Sequence, residues 1–249
     1  MSKQAFCYWC GAPATSREHV PPKCLFPELK DTGPIFNESY REHLITVPSC
    51  DKHNLSKSND DQYLMLHLAP LVGNNSIAYI HTKTKLARTL ERKPYLLDIK
   101  GEANLKLGTE SFPVCFVECN LIRLSYSFEA IARALYFVEY GIAFKGECKV
   151  FSNIYANQND MEAKAFILDS VCKLEDERKS CWKSKIKGFN PKIFTYQFSP
   201  VDDLGTQTLC LTFYEKTKVF VILVQPENPK MKFIKQLNQV CDKIIFESK

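Results

Sequence analysis

Three features of the sequence predict an α+β fold. Residues 1–70 are irregular, rich in prolines and polar turn residues, and carry closely spaced cysteine and histidine. From Ser111 onward, strand-like and helix-like patterning alternate. Within that part, Phe128, Ile131, Leu135, Val138 and Ile142 recur at spacings of three and four, which marks an amphipathic helix over 127–144 closed near Gly141. The expected organisation is a stapled N-terminal module at 1–70, a helical linker region at 71–110 and a mixed α+β domain at 111–249.

Taken in order, "LSKSNDDQYLMLHLA" (55–69) reads as a helix begun by Asp51 or Asn54 and limited by Pro70. "VGNNS" (72–76) is a break. Ile77–Lys93 then reads as a helix with Ile77, Ile80, Ala87 and Leu90 on one side, stopped by Pro94. A strand is predicted over 112–125, another over 148–155, a helix over 160–174, strands over 192–199, 207–215 and 218–224, and a terminal helix over 231–246. In 192–199, Phe194, Tyr196 and Phe198 alternate with polar residues, so one face of that strand is expected to be buried.

A chain of 249 residues with 45% apolar composition can bury a sizeable core. Its longest apolar run, Val219–Val224, falls far short of the ~20 residues of a membrane span. "MSKQAFCYWC" has no signal-type hydrophobic region, so a cytoplasmic protein with no membrane partner is expected. Eleven cysteines, an odd number in a chain of this size, argue against a disulfide framework. Cys115 and Cys119 read as strand residues, and no motif places a base beside Cys24 in "PPKCLFP". The net charge of +5 gathers mostly in 81–93 and 177–192. Such stretches suit a polyanion, and equally suit the solvated face of a helix or loop.

The cysteine spacing is the sharper signal. Cys7 and Cys10 form C-x2-C, and Cys50 and His53 form C-x2-H, with Gly11 fitting the turn of the first knuckle. Two such knuckles supply the four thiolate and imidazole donors of a tetrahedral structural zinc. A staple of this kind also explains how a segment with little apolar content holds a fold.

Between the knuckles stands "TSREHVPPKCLFP", which a zinc knuckle does not require. The Glu18 carboxylate is a hard donor suited to Mg2+ or Mn2+, and the His19 imidazole can accept a proton from water near neutral pH. Adjacent residues of a regular strand point to opposite faces, so a shared site requires the backbone to bend there, and Pro21-Pro22 is consistent with that. Asn54 follows the last knuckle residue directly, and its amide oxygen is a further hard donor.

Together, C-x2-C, E-H-V-x-P and C-x2-H-N-x2-K-S-x2-D over residues 5–63 resemble the HNH endonucleases, in the subgroup where a treble-clef-like zinc site surrounds the ββα-metal hairpin. The resemblance implies Cys7, Cys10, Cys50 and His53 as structural zinc ligands. It further implies Glu18 and Asn54 as ligands of a catalytic Mg2+ or Mn2+, and His19 as general base. DNA is the implied substrate, cut to 5′-phosphate and 3′-hydroxyl ends, an activity that many such nucleases use in phage defence or mobile elements. The family's middle asparagine has no match in "REHLITVPSC", which leaves His43 or a main-chain group to substitute for it. Lys57, Asp60 and Asp61 match the subgroup's ending as supporting or phosphate-contacting residues. The part beyond 110 is expected to select the substrate or bind a protein partner. The competing expectation is a non-catalytic zinc module that binds nucleic acid or protein.

Overall fold

A computed structural model describes residues 4–54, 57–156 and 160–247. The N-terminal knuckle leads into β1 (Ser16–His19), which pairs antiparallel with β2 (Thr46–Ser49) in the register Ser16↔Ser49 and His19↔Thr46. The long connection between them carries α1 (Leu29–Phe36), closed by Asn37 in the left-handed conformation (φ 48°). Directly after β2 come α2 (Asp51–Asn54) and α3 (Ser58–Leu68). The hairpin is therefore followed by two helices, with α1 in the connection between its strands, and Lys57 rather than Asp51 or Asn54 precedes the first turn of α3.

The stretch expected as a helical linker is only half helical. Asn75 accepts the Ala78 N–H through its side chain (3.1 Å) and starts α4 (Ser76–His81), which runs through a π turn (Thr82–Leu86) into α5 (Ala87–Arg92). Beyond Pro94 the chain forms β3 (Asp98–Leu107), paired with β4 (Glu110–Glu118) in a two-stranded ribbon. Polar residues and Gly101 weakened the strand pattern of β3. The strand expected over 112–125 stops at Glu118, because the Asn120 side chain accepts the Arg123 N–H (2.9 Å) and converts Leu121–Ser125 into the start of a helix. That helix, α6 (Leu121–Tyr140), ends at Gly141 with φ 71°, a conformation open to glycine at little cost.

The remainder is built on a five-stranded antiparallel sheet. β5 (Glu147–Ser152), α7 (Met161–Cys181), β6 (Lys187–Asn190), β7 (Phe194–Val201), β8 (Thr206–Phe213), β9 (Thr217–Val224) and α8 (Met231–Asp242) follow in turn, α8 continuing into a π turn at Lys243–Glu247. The strand order is β5-β9-β8-β7-β6. β-branched and aromatic residues in "TLCLTF" and "KVFVILV" suit the pleated surface. Phe194, Tyr196 and Phe198 are buried as expected, and Gln197 on the other face is also buried, where its side chain meets Arg178 and the Ser184 carbonyl.

One continuous cluster of buried apolar side chains extends from Cys7 to Ile245 and passes through all three stretches of the chain. The first stretches of the chain are tied to the later ones at several points. The Tyr214 hydroxyl donates to the Leu25 carbonyl (2.8 Å), Asn75 donates to the Lys192 carbonyl (2.7 Å), and Lys145 donates to the Trp9 carbonyl (2.7 Å). Tyr214 sits at φ 48° in the β8–β9 turn, which is unfavourable for an aromatic residue. Its ring is wholly buried, and burial with the Leu25 bond holds it there. Among the described residues no helix is long and apolar enough to cross a membrane.

Candidate metal centre and hairpin site

The two knuckles converge. One ligand atom from each of Cys7, Cys10, Cys50 and His53 lies within 4.8 Å of the others. The Cys10 and Cys50 sulfurs are 3.7 Å apart, and the His53 Nδ1 stands 3.2 Å from the Cys50 sulfur and 3.7 Å from that of Cys7. Around a tetrahedral zinc, ligand-to-metal distances near 2.3 and 2.0 Å imply donor separations of about 3.5–3.8 Å. The quartet is therefore a group that can hold a metal ion such as zinc.

Local backbone prepares this donor set. Gly11, at φ 77°, lets the chain double back so that its N–H reaches the Cys7 carbonyl (3.0 Å). Burial alone raises the Cys7 thiol, but backbone N–H groups of Cys10, Trp9 and Cys50 aimed at its sulfur outweigh that and hold it below its ordinary value, which favours the thiolate. Burial and then Lys52 depress the His53 imidazole, favouring the neutral form a metal requires. The His53 ring stacks on Trp9, whose other neighbours include Arg133 of α6, 5.4 Å from the indole centroid.

The hairpin carries the second group of residues. Glu18 is buried and ion-paired with Lys57, itself buried, and accepts a hydrogen bond from the Ser49 hydroxyl (3.4 Å). Asn54 donates its amide to the Ser16 hydroxyl (2.8 Å), and that hydroxyl donates to the Ser49 carbonyl (3.2 Å). Ser16 and Ser49 are register partners. Glu18 and Asn54 thus stand on one face of the hairpin, joined through two serines, though no direct hydrogen bond links them among the described residues. The buried Tyr8 hydroxyl stands close to Glu18, and burial and then the Glu18 carboxylate raise it well above its ordinary value.

His19 faces the other way. It neighbours Glu18 in a regular strand, so the two side chains alternate across the hairpin. The pairing reaches Val20, whose N–H is bonded to the Ile45 carbonyl (2.9 Å), and the backbone bends only at Val20 and Pro21, past His19, so the bend leaves His19 on the opposite side from Glu18. Burial, then Lys23 and Arg41, depress the His19 imidazole and keep it neutral at pH 7. His43, the expected substitute for the missing asparagine, packs against Phe189 with ring centroids 6.1 Å apart, and no hydrogen bond joins it to His19 among the described residues.

Of the remaining sequence candidates, Asp60 is paired with Arg123 (2.5 Å), and Asp61 is pushed up to about 6 by burial, against the opposing effect of Lys57. Burial pushes the Cys24 thiol up to about 12, and that thiol donates to the Asp61 carbonyl, so Cys24 is a packing residue. The basic stretches are partly neutralised through Arg88–Asp31, Arg178–Glu175 and Lys192–Glu38. Sequence reasoning missed Ser16, Ser49, Tyr8 and Trp9; the period-two spacing of Ser16 and Glu18 was the available signal for the first. Compared with known proteins, the chain has no match among family models, curated proteins or solved structures.

Proposed function

We propose that this chain is a metal-dependent phosphodiesterase of the HNH type that acts on DNA, with a structural zinc on Cys7, Cys10, Cys50 and His53. The observation that carries the reading is the polar chain Glu18–Ser49–Ser16–Asn54, held on one face of a hairpin whose Ser16–Ser49 end adjoins the cysteine and histidine quartet. Its donors are oxygens, the kind that Mg2+ or Mn2+ takes, and they fit such an ion in chemistry once Glu18 gives up the Lys57 ammonium. A divalent cation held by Glu18 and Asn54 would supply charge stabilisation at the phosphate and at the leaving 3′ oxygen.

The chain's own contribution is the base. His19, neutral at pH 7, takes a proton from water; the water oxygen attacks phosphorus, the bond from phosphorus to the 3′ oxygen breaks, and that oxygen leaves with a proton from solvent.

The second reading, a non-catalytic zinc module that binds nucleic acid or protein, is favoured by the Lys57–Glu18 pair and by the opposite facing of Glu18 and His19. Nicking of supercoiled plasmid by zinc-loaded protein separates the two. The hydrolase reading expects Mg2+- or Mn2+-dependent nicking that falls by about 100-fold or more in His19→Ala, and also falls in Glu18→Gln and Asn54→Ala. No nicking by the wild type, or equal nicking by His19→Ala, leaves the binding module.

A further inference from the structure

The His19 side of the hairpin carries an unusual concentration of positive charge. A single carboxylate, Glu28, takes three cations: Lys30 at 2.9 Å, Arg41 at 3.2 Å and Lys85 at 3.6 Å. Lys23 and Arg41 are also the charged groups that bear on His19. Lys85 lies close enough to Arg41 for the two charges to repel, and both side chains still reach the surface, at 20% and 24% exposure. One negative charge cannot balance this set, so the patch keeps a strong local positive potential.

Arg41 is held in a way that leaves it ready for a ligand. Its Nε donates to the Phe26 carbonyl (3.0 Å) and one terminal nitrogen reaches Glu28. A guanidinium has five N–H donors, and the others have no protein partner among the described residues. An anchored guanidinium with unused donors beside two lysines matches a phosphate, whose oxygens accept several such bonds at once.

Aromatic surface adjoins the same patch. Val20, Pro21, Phe26, His43, Ile45 and Phe189 line a shallow apolar hollow, so the residue that anchors Arg41 and the residues that follow His19 share its wall. Phe189 is 72% exposed and meets the His43 ring at a tilt of 46°. It is lifted there by Gly188 at φ 136°, where an added Cβ would come within 2.5 Å of the Phe194 carbonyl oxygen. An exposed ring next to a phosphate seat is the arrangement by which proteins hold unpaired nucleotides, since stacking accepts any base while cations track the backbone.

We propose that Arg41, Lys85 and Lys23 seat a backbone phosphate of a nucleic-acid strand beside His19, and that Phe189 stacks an unpaired base of the same strand. This rests on the proposed hydrolase only for the chemistry at His19, and it names the substrate class as single-stranded or locally opened nucleic acid. A duplex would present its phosphates to the cations but no free base to Phe189.

The test is binding of a labelled single strand and of the matching duplex by fluorescence anisotropy over a salt series, without added magnesium or manganese. The wild type is expected to prefer the single strand. Lys23→Ala and Arg41→Ala each weaken binding and lower the salt slope by about 0.7, the value for one phosphate contact on a single strand. Phe189→Ala weakens the single strand by about tenfold and leaves the duplex unchanged. Arg41→Lys, checked for full zinc content, guards against misfolding and is expected to keep the salt slope while losing affinity. Unchanged affinity and slope in both the Lys23 and Arg41 variants overturn the proposal. So does an equal loss on strand and duplex in Phe189→Ala. A chain that binds as expected yet nicks nothing retains this site and loses the hydrolase. His19-dependent nicking with normal binding by these variants does the reverse.

Discussion

The imidazole of His53 lies flat on the indole of Trp9, with ring centroids 5.1 Å apart and 8° between the planes. Through this stack and the Arg133 guanidinium beyond it, a side chain of the candidate metal centre is oriented by a helix from the far part of the chain. Replacing Trp9 by leucine should keep the zinc-binding stoichiometry but loosen the ion. The expected loss is about 1 kcal/mol, of the order of one aromatic contact. Competition with a chromogenic chelator would measure it, and an unaltered affinity would remove the stack from any role in holding His53.

The ligand quartet itself predicts an all-or-none response. Purified wild type should carry one zinc per chain by elemental analysis, and Cys7→Ser should carry far less and melt at a lower temperature. Cys210, buried in the sheet far along the chain, is the matched control: Cys210→Ser should leave the zinc content unchanged.

Lys57 and Glu18 form a buried ion pair, so removing one partner strands the other charge. Lys57→Met is expected to cost about 3–5 kcal/mol in urea denaturation, and Glu18→Gln a comparable amount. The double variant should be destabilised by clearly less than the sum of the two, since neither charge is left alone. Strict additivity would mean that the pair does not interact in solution.

Asp61 gives a pH-dependent signature. Burial, followed by the neighbouring Glu18 and Asp60 charges, raises its carboxyl from 3.8 to about 6, opposed by Lys57. The folded chain then holds a proton between about pH 4 and 6 that the unfolded chain has released, so stability falls as pH rises through that window. Asp61→Asn should therefore be near neutral at pH 4 and stabilising by on the order of 2 kcal/mol at pH 8. A difference from wild type that stays constant between these two pH values would show that Asp61 titrates normally.

The periodic parts of the fold were the legible ones. The α6 stripe was readable because Phe128, Ile131 and Leu135 are buried on one side, but Val138 and Ile142 in the same series are exposed, since the helix ends at Gly141 and its last turn leaves the core. Of the β3–β4 ribbon only β3 was hidden, because it does not enter the main core and "DIKGEANLKL" had no reason to alternate strictly. At the site, the knuckle spacing was enough to bring Cys7, Cys10, Cys50 and His53 together. The pairing of Glu18 with Lys57 was not readable, because it depends on where α3 begins relative to the hairpin, a tertiary distance that sequence spacing does not encode. The direction of His19 depended on where the backbone bends, and the bend comes at Val20 and Pro21, after a strand that stays extended through His19.

The hydroxyl of Tyr214 on the Leu25 carbonyl makes this a chain whose parts are not portable. A fragment ending near residue 70 would carry every predicted ligand and yet leave Leu25 and Trp9 without the lids that residues 133, 145 and 214 provide. Grafting the first seventy residues onto another scaffold should fail for the same reason, whereas an insertion at the exposed Gly108–Thr109 tip of the β3–β4 ribbon should be tolerated.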